Sequence, residues 1–339
     1  MNSDRKSLRV GIAGSGFGLR VLLPVFAGIE GVRVTALAGR ERGTATDWRA
    51  LFSGGDLDAV ALALPPLVQE EAAPAALAAG LHVFCEKPLA LHPAAAETIV
   101  RAAAQRGLVG SVDFEFRKVR AFETVRRNFA RVGRPRSLDI TCRINARATP
   151  PPRGSWKHDV ELGGGAMSSF GCHLVDFCSL LLGKLEAAAF SPTVRVSDRA
   201  SRDGDAWRVT AEDSFVLSLR SVGGALARVE LNTVAEKEEG LALTAEGEEG
   251  RLLMIDRDPS DYFRGWDVFF EARDGQREKL LDASDATARG GRVEAVRGVA
   301  VDFVRSVFYG GVPDSSLEAG AEVVRLVARA RTLAASLPR

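Results

Sequence analysis

Residues 14–18 read Gly14-Ser15-Gly16-Phe17-Gly18, between a short apolar run and a helical pattern. Glycines at such a turn let the backbone bend sharply and approach a pyrophosphate. The free N–H groups and dipole of the helix start that follows favour its negative charge. The spacing is GxGxG, with Leu19 where a GxGxxG pattern has its third small residue. An acidic residue at the end of the second strand usually accepts from the adenosine ribose. Here Gly39-Arg40 stands there, and no carboxylate comes before Glu41. A guanidinium pairs with a 2′-phosphate and stacks on adenine, so Arg40 favours NADP(H), with NAD(H) as the alternative cofactor. The competing reading of Arg40 is one more surface arginine in an arginine-rich chain. Four histidines are present, His82, His92, His158 and His173. An imidazole exchanges protons near neutral pH, but it is as often a satisfied core group.

The elements that must position these residues follow from hydrophobic patterning. Strands are expected at 8–13, 32–38, 58–64, 82–85 and 108–112, alternating with helices at 17–27, 45–51, 68–79 and 93–106. That alternation is the sign of parallel βαβ units. Beyond this point a helix at 122–130 and a strand at 137–145 lead into the Pro- and Gly-rich segment 146–165. A loop of that length inside a compact protein is usually functional or disordered. An apolar helix at 166–182 comes next, then strands at 213–220, 225–233, 241–246, 251–255 and 266–271, and helices at 293–308 and 316–336. Strands joined by turns suggest an antiparallel sheet.

The chain has 339 residues, 46% hydrophobic and 26% charged, with 45 Lys+Arg against 44 Asp+Glu. A net charge of +1 lacks the excess that drives binding to nucleic acid or an anionic membrane. No run approaches the roughly 18 apolar residues of a membrane span. The N-terminal apolar run is broken by Gly14 and Gly16 and soon meets Arg20, which does not read as a signal peptide. Cys85, Cys142, Cys172 and Cys178 form no CxxC pair, so neither a disulfide framework nor a metal centre is expected. A reduced, cytoplasmic protein fits.

Three stretches carry a family resemblance: "DLDAVALALPP" with "GLHVFCEKPLALHP" after it, "SWKHDVELGGGAMSSFGCHLVDF", and the N-terminal glycine turn. Together they resemble the Gfo/Idh/MocA family of NAD(P)-dependent oxidoreductases, over nearly the whole chain. The resemblance implies a doubly wound Rossmann domain over 1–116. An α/β domain with a large, open, mostly antiparallel sheet, often used for oligomerisation, would cover 117–339, with terminal helices able to pack back toward the first domain. It implies a homodimer or homotetramer and a small-molecule substrate between the domains. The reaction would move a hydride between nicotinamide and an oxygen-bearing carbon of a sugar, sugar derivative, polyol or related ketone. A cofactor-binding sensor with altered catalysis, and a reductase of an imine or unsaturated intermediate, are the alternatives.

The resemblance also implies the site. Leu64, Pro65, Glu86 and Lys87 would line the cofactor beside the glycine turn, and the Lys87–Pro88 bond is commonly cis in the family. Lys87 would direct its ammonium at the substrate oxygen, and His173 would exchange a proton with it. Ser169 stands where many members carry an aspartate, and a serine brings no charge to a histidine. Gln69 stands where a histidine often follows the proline pair. Arg117 would bind a substrate anion or bridge the domains. Trp156 and Lys157 would form a sugar-stacking wall and a polar contact, or Trp156 would pack the loop down. Asp176 would anchor its helix.

Overall fold

The computed structural model describes residues 7–39, 47–54, 56–146, 155–200, 206–259, 261, 263–285 and 291–336. The chain forms two compact units, Met1–Glu115 with Arg292–Arg325, and Phe116–Gly291 with Leu326–Arg339.

In the first unit, β1 (Leu8–Ala13), β2 (Val32–Ala38), β3 (Ala59–Leu62), β4 (His82–Cys85) and β5 (Gly110–Val112) make one parallel sheet. Its order is β2-β1-β3-β4-β5. Every residue of β3 is buried, and so is nearly every residue of β1 and β4. Strands covered on both faces read as continuous apolar runs, which is why they stand out in the sequence. The helix Arg292–Tyr309 comes from far along the chain to complete this core with Val296, Val299, Ala300, Phe303 and Val304. Phe26, Phe84 and Phe303 meet edge to face, with centroids 5.2, 5.8 and 6.4 Å apart.

The second unit holds a mixed, mostly antiparallel sheet of eight strands: β6 (Pro135–Arg143), β7 (Leu185–Thr193), β10 (Ser214–Ser221), β11 (Leu226–Asn232), β12 (Gly240–Gly247), β13 (Gly250–Asp256), β14 (Trp266–Ala272) and β15 (Arg277–Leu281). Their order is β15-β14-β13-β12-β6-β11-β10-β7, with β6 and β11 parallel. Between β7 and β10 in sequence, β8 (Asp198–Ala200) and β9 (Ala206–Arg208) form a separate pair. The helices Arg120–Asn128 and Cys172–Leu182 pack on one face of the large sheet. The other face is mixed. One row across it runs Val216, Glu230, Thr141, Ala242, Ile255, and the next runs Ser218, Arg228, Asp139, Thr244, Leu253, Phe269.

Two edge strands were not expected from the sequence. The Ala-rich β7 contains Pro192 and pairs with β10 alone. The charged β15 pairs with β14 alone. Neither composition reads as a strand, but proline and charge are what sheet edges tolerate. The helix expected at 45–51 is seen as Arg49–Ser53, and residues 45 and 46 lie outside the described residues.

Candidate active site

Parallel pairing sends all five strands of the first unit out at the same edge. The glycine turn follows β1, Gly39 follows β2, Leu64 and Pro65 follow β3, Glu86 and Lys87 follow β4, and Asp113 follows β5. The strand order reverses between β1 and β3, and ligands of doubly wound sheets bind outside the carboxyl ends at such a point.

The glycine turn has the shape that a pyrophosphate needs. Gly14 has φ +133°, and a side chain there would strike the Ala63 carbonyl. Its N–H donates to the Ala38 carbonyl at 2.8 Å, tying the turn to β2. At Gly16 an added methyl would meet nothing nearer than Arg20 Nη2 at 3.7 Å, so that side of the turn is open. Gly18 instead packs against Ile12, Ala13 and Ala63 and begins the π turn Gly18–Leu22. Bend, open approach and close helix–strand packing are the three glycine roles of a dinucleotide site, so these residues fit one. Phe17 leads into the helix start, and Ser15 lies against Gly39. Arg40, on which the NADP(H) expectation rests, lies outside the described residues.

Lys87 sits in a turn held from several sides. The Lys87–Pro88 bond is cis. Glu86 N–H donates to the Leu62 carbonyl at 2.8 Å, and Lys87 N–H to Glu86 Oε2 at 3.1 Å. The least expected contributor is Gln69, 1% exposed in the helix Pro66–Ala78. Its amide nitrogen points at the carbonyls of Glu86, Pro88 and Leu89, at 2.6, 3.0 and 3.1 Å. Only a donor suits that spot, so the residue that reads as a departure from the family pattern clamps the lysine turn. Glu70 completes the clamp by accepting from the N–H groups of Leu91 and His92 at 2.7 and 2.6 Å.

Three carboxyl groups gather beside this turn. One oxygen from each of Glu86, Asp113 and Glu115 lies within 4.8 Å of the others. Asp113 has no exposure and Glu115 has 4%. Burial first, then mutual repulsion, pushes Asp113 far above the carboxylate range and Glu115 up to about 7. Burial also raises Glu86, against the opposing pull of Lys87. Arg292 Nε lies 3.5 Å from Glu115 Oε1. Sequence reading overlooked this cluster because Glu115 lies 29 positions from Glu86, and only strand pairing joins them.

In the second unit the helix Cys172–Leu182 opens through the π turn Met167–Gly171. His173, 2% exposed, stacks on Phe116 with centroids 4.6 Å apart and planes 16° apart. Arg117, the next residue in the chain, makes a two-pronged pair with Asp176 at 2.7 and 2.6 Å. Both partners are buried, 5% and 2% exposed. Arg117 thus presents a fork to its own unit, and Asp176 anchors the His173 helix to it.

Ser169 Oγ donates to the Gly165 carbonyl at 2.9 Å, one turn back in its own helix. Two of the three glycines before that helix have a packing cause. A side chain on Gly164 would meet the Trp156 and Lys157 carbonyls, and one on Gly165, at φ +113°, would meet the Glu212 carboxylate. Buried Glu212 accepts from Met167 N–H at 3.0 Å, and Arg331 donates to Ser168 Oγ at 3.2 Å. Trp156 and Lys157 lie in the 3-10 turn Trp156–His158, with Lys157 Nζ 5.9 Å from the Trp156 ring centre. His158 is buried beside Trp207, and its carbonyl accepts from Thr210 and Ala211.

Comparison with known proteins agrees with this architecture. Residues 8–114 match the oxidoreductase family with an NAD-binding Rossmann fold, and residues 124–253 match the GFO/IDH/MocA C-terminal domain. An uncharacterised oxidoreductase of Synechocystis is 27% identical, over 93% of this chain and 90% of its own. Levoglucosan dehydrogenase of Pseudarthrobacter phenanthrenivorans is 25% identical over 62% of this chain and 58% of its own. A structure of levoglucosan dehydrogenase with NADH and L-sorbose superposes with a TM-score of 0.83, at 22% identity, over 97% of this chain and 96% of that one.

Replacing Gln69 with leucine removes the donor and leaves three carbonyls facing an apolar group. Unfolding by denaturant should show a loss of about 1–3 kcal/mol. An unchanged transition would mean that the turn is held without the clamp.

Proposed function

This chain belongs to the GFO/IDH/MocA oxidoreductase family, and from that premise we propose that it oxidises or reduces an oxygen-bearing carbon of a sugar or a related polyol or ketone. The observation that carries the proposal is the shared strand edge of the first unit, where an open glycine turn ends β1 and a clamped lysine turn ends β4, on either side of β3. When bound, a nicotinamide dinucleotide supplies or takes up the hydride there.

The chain's own residues handle binding and protons. The backbone of Gly14, Ser15, Gly16, Phe17 and Gly18 receives the pyrophosphate, and Leu64, Pro65 and Glu86 flank the cofactor. Lys87 presents its ammonium to the substrate oxygen, polarising a carbonyl or easing loss of a hydroxyl proton. His173 is the proton-exchanging imidazole of the second unit, held flat by Phe116 and kept in place by the Arg117–Asp176 pair. Trp156 and Lys157 are substrate contacts in this reading. Arg117 is not, because its fork already meets Asp176. Ser169 adds at most a neutral hydrogen bond. No helix among the described residues is long and apolar enough to cross a membrane. The four cysteines are buried and form no disulfide, which suits a reducing compartment, and we take the cytoplasm as the location.

With a panel of sugars, polyols and keto-sugars that includes levoglucosan, Lys87→Ala and His173→Ala should each lower turnover by at least ~100-fold while cofactor binding persists. Ser169→Ala should cost far less, since its hydroxyl is bonded to its own helix. A His173→Ala enzyme with full activity would remove the histidine from the reading.

We further propose NADP(H) as the preferred cofactor, from Arg40 in place of an acidic ribose reader. Arg40→Ala should weaken NADPH binding by about 1.5–3 kcal/mol and leave NADH binding nearly unchanged. Equal NADPH affinity in titrations of both proteins would refute this.

The helix-free face of the large sheet, with Val216, Ala242, Leu253, Ile255 and Phe269 among its polar residues, is the surface we assign to self-association as a homodimer or homotetramer. Light scattering at micromolar concentration should give a mass of two or four chains, and a monomer would sink the assignment.

A further inference from the structure

Asp113 and Glu115 have no part in the chemistry described so far, yet they are among the most deeply buried acids of the first unit. Strand geometry holds them beside the lysine turn. Asp113 N–H donates to the Cys85 carbonyl at 2.8 Å, which locks the end of β5 to the end of β4 one residue before Glu86. Glu115 follows two residues later and reaches back until its carboxyl is within 4.8 Å of the other two.

The charges facing this cluster can be named. Lys87 and Arg292 are the cations that act on it, Glu86, Asp113 and Glu115 are the acids, and the Cys85 thiol is pushed up to about 12 by burial and by Glu86. Three acids against two bases leave one excess negative charge if all ionise. Asp113 has no contact with water to dissipate it, and burial with mutual repulsion raises all three carboxyl groups, Glu115 to about 7. All three carboxyl groups feel the charge of Lys87, and Lys87 therefore feels theirs.

We propose that Asp113 and Glu115, fixed with Glu86 beside Lys87 by the paired ends of β4 and β5, are positioning residues whose gain and loss of a shared proton sets how firmly Lys87 keeps its own. The inference rests on the role given to Lys87 in the proposed function. It also bears on Ser169, which brings no negative charge. In this chain the carboxylate field on the catalytic lysine comes from the lysine's own unit. The sign is fixed. As pH rises through about 7, Glu115 ionises, its charge attracts the ammonium, and Lys87 holds its proton to higher pH.

The chain has only seven lysines, so each can be followed by mass spectrometry after trace acetylation with acetic anhydride across a pH series. Only the neutral amine reacts. In Glu115→Gln the midpoint for Lys87 should fall by on the order of one pH unit, making it ~10-fold more reactive at fixed pH, while the other six lysines stay as internal references. An unchanged Lys87 midpoint in Glu115→Gln overturns the proposal.

A second measurement needs no variant. Infrared titration of the wild-type protein should show a carboxylic C=O band that survives to about pH 7. Loss of every such band below about pH 5, as for ordinary carboxyl groups, also overturns the proposal. The outcome is separable from that of the proposed function. If Lys87 labelling shifts as expected while Lys87→Ala turns over normally, the catalytic role of the lysine falls and its electrostatic coupling to Glu115 stands.

Discussion

The parallel direction of the first sheet is the constraint from which the rest of the site follows. Parallel strands need crossovers over the faces, so every strand leaves at one edge, and at that edge the ladder stops supplying partners. Backbone groups there must find other bonds or meet a ligand. The turn after β4 shows the first solution, with Gln69 donating to carbonyls that no strand can reach. The turn after β1 shows the second, since Gly16 leaves its side open. The same edge therefore carries both a loop held by several hydrogen bonds and an open turn suited to receive an anion.

Charge at that edge obeys a second rule, that buried ions must be matched. Among the described residues, Glu86, Asp113 and Glu115 meet two cations, Lys87 and Arg292, and burial with mutual repulsion pushes Asp113 far above the carboxylate range. The second unit solves a similar problem with full pairing. Arg117 and Asp176 are both buried and engage through two bonds, so each charge meets its opposite. Because Phe116 and Arg117 are adjacent, one short segment supplies the ring under His173 and the ion that holds its helix. A neutral serine at 169 can be accommodated there because its hydroxyl turns back to Gly165, adding no buried charge.

Much of this was legible in the residues, for local reasons. Buried parallel strands are nearly continuous apolar runs, so β1 and β4 have the expected bounds; the edge strand β2, partly exposed, keeps its bounds through a mostly apolar run, and Pro93 opens its helix as a first-turn proline should. The glycine turn is recognisable because bend, approach and packing each demand glycine within five residues. What the sequence could not show is which distant groups meet. Gln69 reads as a departure from the family pattern with no assigned task until β3 and β4 pair and bring three carbonyls to its amide. Glu115 carries no assignment from the sequence until β5 docks on β4. Gly164 and Gly165 read as the end of a long Pro- and Gly-rich loop, and their packing cause emerges when Glu212 and the Trp156 turn press against them. The edge strands β7 and β15 take their form from pairing that their own composition does not favour. Local propensity and periodicity belong to the sequence alone. Charge balance and hydrogen-bond satisfaction are properties of neighbours, and only the tertiary fold chooses those.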